Sequence, residues 1–337
     1  MTKREIVKAA IRHEETGVIP FHINLAGDAI QKYLDTLYKQ YAMPGFRKLV
    51  DKGILNKTEA LHLSMGSQLF TLGCPWWNWY DVPPSYSRDF DAPDFLPKTV
   101  GRGSYEQLVE KVKIISDLTG SYQLVMIYGS HFEKANFARG IENFLADLAG
   151  EKEYARRLLN FIIHKNMVML ENIVAIPEID GILLGSDWGS QQALLMDPAT
   201  WHELIEPGEK AEYDLLKSEG KDVWIHSCGN IETILPDLVR MGVDVLNPLQ
   251  PECMDIYKIK AKYGKDLTFW GGISTQQTLP YGTPAQVRDE AAKVIQSLSK
   301  GGGYITAPAQ GIQADVPLEN ILALIDTARE FAGIGRS

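Results

Sequence analysis

The sequence predicts an α/β protein built as a single (β/α)8 TIM barrel, with an insertion in its N-terminal half lying over the barrel mouth. Three observations carry this expectation. From residue 181 onward, five short apolar runs alternate with five amphipathic helical patterns. These runs lack the apolar/polar alternation of a half-exposed sheet, which is how strands buried on both faces of a parallel sheet read. Three more apolar runs in the N-terminal half bring the candidates to eight, the number that closes such a barrel. A barrel takes about 250 residues, so a single domain over 1–337 has residues to spare for an insertion.

The expected elements follow in order. VIPFHINL (18–25) is the first strand, GSQLFTLG (66–73) the second and YQLVMIYG (122–129) the third. The insertion is expected within 74–121. From Cys74 to Pro97 it holds five prolines and the cluster Trp76, Trp77, Trp79 and Tyr80. Prolines lower the entropy cost of holding such a segment in one shape. GILLGSD (181–187) is the fourth strand, followed by a helix over about 197–219 that Gly220 stops. KDVWIH (221–226) is the fifth, before a helix with Asn230 as N-cap and Gly242 just past its end. VDVLNP (243–248) leads to a short helix over 255–263, and LTFWGG (267–272) comes next. The following helix has Thr283 as N-cap, Pro284 at its first position and Gly301 as its stop. GYITAP (303–308) is the last strand, and PLENILALIDTAREFAG closes the chain as an amphipathic helix.

Composition narrows the function. Hydrophobic residues make up 45% and charged residues 23%, which suits a globular protein and excludes a disordered or collagen-like chain. The formal net charge is −9 and no block of lysines and arginines occurs, which argues against nucleic acid or an anionic membrane as partner. Cys74, Cys228 and Cys253 are too few for a disulfide framework, so reduced thiols in a cytoplasmic protein are expected. The charged start MTKREIVKAAIRHEETG lacks the apolar run of a signal peptide, and no run of about 18 apolar residues predicts a membrane span. No G-x-G-x-x-G follows a strand, and neither a P-loop nor a repeat is visible.

Barrel enzymes place catalytic groups at the C-terminal ends of their strands. Here those ends carry Asp187, His226, Asn247 and Gly271–Gly272, with Ala307 near the last. The glycine pair leaves space where a ligand could approach the backbone. In H-S-C-G-N (226–230), His226 and Cys228 are two apart, so on an extended segment they point the same way. Imidazole and thiolate together suit Zn2+. A third ligand must come from another strand end: Cys253, Glu252 or Asp187. The alternative is a hydrogen-bonded core histidine beside a small buried thiol. Asp187, directly after an apolar strand, is a candidate general base, metal ligand or orienting partner of a ligating histidine, or else an N-cap. Asn247, Gln250 and Glu252 sit in NPLQPE, where Pro248 and Pro251 restrict the backbone. That suits positioned polar groups, and equally an ordinary rigid loop. Trp76, Trp77, Trp79 and Tyr80 are candidates for an aromatic wall against a planar substrate, or for the underside that anchors the insertion. His22 and Asn24, at the end of the first strand, and Tyr128 and His131, after the third, are candidates for the mouth.

HSCGNIETILPDLVRMGVDVLNPLQPECMD, LTFWGGISTQQTLPYGTPAQV and GGGYITAP resemble the uroporphyrinogen decarboxylase superfamily, through most of the chain and most strongly from about 180 to 332. The resemblance implies a (β/α)8 barrel with its active site at the C-terminal mouth, and two broad activities. Decarboxylases of the superfamily remove acetate carboxyls from a tetrapyrrole without a cofactor, and carry an arginine-rich segment near the N-terminus. The corresponding FHINLAGDAIQKYL (21–34) has no arginine, so a multiply charged carboxylate substrate would lack guanidinium partners. The other branch comprises corrinoid-dependent methyltransferases. Members that activate coenzyme M bind zinc through a His-x-Cys pair and a second cysteine after the last strand. His226 and Cys228 match the pair, whereas GGGYITAPAQ (301–310) holds no cysteine. Cys253, Glu252 or Asp187 would then substitute.

The chain looks more like the O-demethylase members, which act on methoxylated aromatics. The resemblance therefore implies a methyltransferase that moves a methyl group from a small methyl donor to a corrinoid (cobalamin-binding) protein, with the corrinoid carried by that partner. Asp187, His226 and Glu252 are its candidate catalytic residues, and Zn2+ on His226, Cys228 and Cys253 its metal site. An oligomer is compatible with this reading. A decarboxylase and a non-catalytic ligand-binding barrel are the alternatives.

Overall fold

A computed structural model of the chain describes residues 1–75, 103–127 and 130–335. Trp76, Trp77, Trp79, Tyr80 and Tyr128, and most of the expected insertion, lie outside the described residues. The chain divides into two compact units. One comprises Met1–Phe70, Ile114–Gln123 and Val245–Ser337, the other Thr71–Lys113 and Leu124–Asp244.

Seven strands are present among the described residues: β1 (Leu69–Leu72), β2 (Tyr122–Ile127), β3 (Gly181–Gly185), β4 (Asp222–His226), β5 (Val245–Leu249), β6 (Thr268–Ile273) and β7 (Tyr304–Pro308). The expected strand over 18–25 is instead a pair of isolated parallel bridges, Phe21 to Thr306 and Leu25 to Ile312. Backbone bonds tie it to the β7 side, among them His22 N–H to Thr306 O at 3.0 Å and Thr306 N–H to Pro20 O at 2.8 Å. On its other side Phe21 N–H donates to the Gln68 side chain at 3.0 Å. Pro20 has no N–H to give, and a side chain has taken the donor that a second ladder needs.

In the second unit, β2, β3 and β4 are paired in parallel, with Leu124 opposite Gly181 and Gly185 opposite His226. Every residue of β3 is buried, as its unbroken apolar run requires. The helix Lys152–Val174 buries Ala155, Leu158, Leu159, Ile162, Asn166, Met169, Leu170 and Ile173, the three-and-four spacing of a single helix face. The expected helix over 197–219 is broken. A short turn over Pro198–Thr200 runs into a π-helical turn, Trp201–Ile205, and then the helix Glu206–Ser218. Pro207 lacks the N–H that would continue the regular ladder, and Glu206 N–H reaches back five residues to Trp201 O.

In the first unit β5, β6 and β7 are likewise parallel. The register between β5 and β6 slips after Leu246, where Pro248 cannot donate to the ladder. Asn247 Nδ2 fills the gap by donating to Trp270 O at 3.0 Å. This slip accounts for Gly271: at φ +140° it faces β5 so closely that a Cβ would lie 2.7 Å from Leu249 N. Gly272, at φ +95°, faces Val294 and Leu298, where a Cβ would come within 3.1 Å. Gly271 thus serves strand geometry, and Gly272 also lines a cavity. Thr283 forms the expected cap, with a reciprocal bond from Gln286. No described helix is long and apolar enough to cross a membrane.

Candidate functional site

Parallel pairing sets Gly185 beside His226, so the residues after each strand leave the sheet together. Ser186 N–H donates to His226 O at 2.8 Å. Trp188 N–H donates to Ser227 Oγ at 3.1 Å, and Cys228 N–H to Asp187 Oδ1 at 2.9 Å. Two glycines let the loops lie against each other. A Cβ on Gly189 would sit 2.6 Å from Cys228 O, and one on Gly229, at φ +84°, 2.4 Å from Ser190 O. Trp188 is fully buried and meets Trp201 edge-to-face at 5.6 Å, which anchors the first loop.

These loops bring three donors together. Cys228 Sγ lies 3.3 Å from His226 Nε2, and His226 Nε2 lies 3.7 Å from Asp187 Oδ1. All three donor atoms fall within 4.8 Å of one another. The His226 side chain is 12% exposed and that of Asp187 43% exposed, so a ligand has access. One nitrogen, one sulfur and one carboxylate oxygen form a donor set that fits Zn2+, which in catalytic sites takes three protein ligands and keeps a fourth position open. The spacing of two along an extended segment thus does bring His226 and Cys228 together, and Asp187 completes the group.

Among the described residues, the other sequence candidates are not members of this group of three. Cys253 and Glu252 belong to the first unit, in the turn after β5, and Cys253 N–H donates to Gln250 O at 3.1 Å. Burial, and then the Glu252 carboxylate, raise the Cys253 thiol pKa, which works against the thiolate that a metal needs. Glu252 Oε1 accepts from Ser274 Oγ at 2.5 Å and Gln276 N–H at 3.2 Å, fastening the loop after β5 to the one after β6. Glu252 also lines a cavity of about 580 Å3 with Asp255, Tyr257, Ser274, Glu290 and Lys293, all in the first unit. Gln250 is buried, and its carbonyl accepts from Cys253 and Met254. His22 is buried, with Nδ1 3.0 Å from Ser67 Oγ and its ring 4.6 Å from that of His62. Burial first, and His62 second, hold it well below the usual histidine pKa. Asn24 is half-buried, and its carbonyl accepts from Ile312.

His131 is fully buried and faces Glu209 and Glu212, a group that sequence reasoning missed. The signal for it is present. Glu209, Glu212, Tyr213 and Leu216 share the buried face of the helix Glu206–Ser218, so two carboxylates occupy positions where the pattern calls for apolar residues. A third group, His202, Glu206 and Asp237, is a surface ion-pair network that Arg240 completes at 2.6 Å from Glu206.

The profile of the uroporphyrinogen decarboxylase (URO-D) family matches residues 81–331. A methylated-thiol–coenzyme M methyltransferase of Methanosarcina mazei is 23% identical over 275 residues, covering 77% of this chain and 68% of that protein. A methylcobamide:CoM methyltransferase of Methanosarcina barkeri is 31% identical over 107 residues, 32% of this chain and 30% of that protein. A uroporphyrinogen decarboxylase of Psychromonas ingrahamii is 30% identical over 79 residues, 23% of this chain and 22% of that protein. The solved structure of a methyltransferase from Methanosarcina mazei superposes with a TM-score of 0.70 at 18% identity, covering 98% of this chain and 99% of that one, and so shares the fold.

Proposed function

The chain belongs to the uroporphyrinogen decarboxylase family, and from that premise we propose that it is a methyltransferase of the corrinoid-dependent branch. It takes a methyl group from a small methyl ether, of the methoxylated aromatic class, and passes it to a corrinoid held by a partner protein. In this reading residues 18–25, which bridge to β7 at two points, serve as the remaining stave of an eight-stranded barrel. The observation that carries the proposal is the grouping of Asp187, His226 and Cys228 within 4.8 Å at adjacent strand ends. Two further points support it. The methyltransferase of Methanosarcina mazei aligns over 77% of the chain, and decarboxylases of the family over 23% and 45%. The segment 21–34 offers no arginine for a multiply charged carboxylate substrate.

The chemical task sets the demands on these residues. Breaking a methyl–oxygen bond leaves negative charge on a phenolic oxygen, a poor leaving group at neutral pH. Zn2+ on Asp187, His226 and Cys228 would supply Lewis-acid stabilisation of that oxygen. The chain's part is to hold the donors in place. The Cys228 amide is bonded to Asp187, which fixes the carboxylate relative to the thiol. Gly189 and Gly229 let the two loops close on each other. A carboxylate in place of a second thiolate leaves a harder donor set, suited to polarising an ether oxygen rather than to activating a thiol. Trp76, Trp77, Trp79 and Tyr80 would stack on the ring.

The test combines metal analysis with turnover. Wild-type protein is incubated with a reduced corrinoid protein and a panel of methoxyarenes, and phenol release is followed. The proposal expects phenol and methylated corrinoid in equal amounts, and a sulfur-ligated zinc that His226→Ala or Cys228→Ala each removes. Decarboxylation of a porphyrinogen with no cobalt methylation from any donor would overturn it.

A further inference from the structure

The geometry points to a second metal site, separate from the strand-end group and fully enclosed in the same unit. His131, Glu209 and Glu212 would hold a first-row divalent transition ion through one imidazole nitrogen and two carboxylates. The side chains are 0%, 1% and 0% exposed. His131 opens the helix that follows β2, and both glutamates sit on the inward face of Glu206–Ser218.

The imidazole decides what lies between them. His131 Nε2 is 3.1 Å from Ile205 O, the last carbonyl of the π-helical turn. A carbonyl only accepts, so Nε2 carries the hydrogen. Nδ1 then faces Glu209 Oε1 at 3.3 Å and Glu212 Oε2 at 3.7 Å. A lone pair aimed at two carboxylate oxygens away from water is repulsive unless something positive stands between them. The competing occupant is a proton on Nδ1: against burial, Glu209 and Glu212 raise the imidazole pKa. A proton would draw one N···O pair to about 2.7–3.2 Å. Both distances exceed that range, and His131 Nδ1 and Glu212 Oε2 are buried atoms without a hydrogen bond. A metal about 2.0–2.2 Å from each donor separates neighbouring donors by roughly 3.0–3.6 Å, close to what is seen.

The surroundings are those of ligands already oriented from behind. The histidine's other nitrogen is bonded to a backbone carbonyl. Glu212 Oε1 accepts from Asn166 Nδ2 at 2.8 Å, from the one polar side chain in that helix's buried stripe. Glu209 Oε1 accepts from Ser130 Oγ at 3.1 Å and Ser186 Oγ at 3.3 Å. Two carboxylates match the charge of a divalent ion. Lys134 adds a positive charge near Glu212, but burial pushes its ammonium down to about 8, and it is also drawn to Glu133. Ser186 links the cluster to Asp187, its neighbour in sequence, so an ion here would brace the strand end that carries the proposed catalytic group.

The site does not depend on the reading of the strand-end group, and its test removes that group. Because the cluster is closed to solvent, the double variant His226→Ala/Cys228→Ala is expressed with added Zn2+, purified through chelator and measured for metal. About one zinc per chain is expected, with only nitrogen and oxygen neighbours by X-ray absorption. Adding Glu212→Gln should lower it below about one tenth. A folded double variant without zinc shows that a proton fills the gap, and overturns the proposal. If the double variant fails to fold, wild type carries the test. Two ions per chain, falling to one in Glu212→Gln, support the site; a single ion with sulfur in its shell, unchanged in Glu212→Gln, overturns it.

Discussion

Gly229→Ala isolates what the loop geometry contributes to the strand-end site. Gly229 stands at φ +84°, and an added Cβ would meet Ser190 O at 2.4 Å and Gly189 C at 2.5 Å. The left-handed backbone costs an alanine about 1–2 kcal/mol. The contacts are backbone on both sides, so the loops must separate by nearly an ångström, an overpacking that costs about 1–3 kcal/mol more. Gly220→Ala is the matched control: its φ is +68°, but nothing lies within 4 Å of the added Cβ. It carries the first cost without the second. Urea denaturation should therefore place Gly229→Ala about 2–5 kcal/mol below wild type, and Gly220→Ala about 1–2. Zinc affinity, measured by competition with a chromophoric chelator, should fall at least tenfold in Gly229→Ala and stay unchanged in Gly220→Ala. Wild-type zinc affinity in Gly229→Ala, or equal loss in both variants, would refute the argument that loop apposition builds the site.

Three further outcomes follow. Asp187→Asn keeps an acceptor for the Cys228 amide but removes a charged donor; zinc affinity should drop about 10–100-fold with little change in stability, and an unchanged affinity would exclude Asp187 from the ligand set. Glu252→Ala removes the acceptor of Ser274 Oγ and Gln276 N–H; urea melts should show a loss of about 1–3 kcal/mol, and no loss would contradict the loop-fastening role. Burial lowers His62 from 6.5 to about 4 and holds His22 well below its usual value. Both stay neutral in the folded chain while the unfolded chain takes up protons, so stability falls as pH drops from about 6.5 towards about 4, by roughly 1.4 kcal/mol per unit for each histidine. His62→Gln should remove part of that slope, and a wild-type slope in the variant would show that His62 is not its source.

The half of the fold from residue 181 onward was legible because the chemistry there is periodic. Apolar runs such as GILLG become fully buried strands, and Thr283–Pro284 caps its helix. The segment 18–25 has the composition of a strand but forms only two isolated parallel bridges to the β7 side. On its other side a distant side chain, Gln68, takes the Phe21 amide in place of a second ladder, which no local pattern reports. Of Gly271–Gly272, read as open space for a ligand, Gly271 sits at a register slip against Leu249, whereas Gly272 lines the cavity of about 580 Å3 together with Val294. His226 and Cys228 were legible from their spacing alone. Asp187 was one of three candidates for the third donor, and the choice among them was not legible, because it depends on parallel register between β3 and β4. Glu209 and Glu212 escaped notice because glutamates on a helix are read as solvated, although their spacing lies on the buried face.

Asp187, His226 and Cys228 are proposed to form a zinc-dependent methyl-transfer site. The most direct measurement is phenol released from a methoxyarene per equivalent of cobalt(I) corrinoid protein, for wild type and for Cys228→Ala. The account predicts one phenol per methylated corrinoid in wild type, and at least a hundredfold slower release in Cys228→Ala together with loss of zinc from the strand-end site. Equal rates in the two proteins, or methylated corrinoid formed by a variant that has lost that zinc, would contradict it.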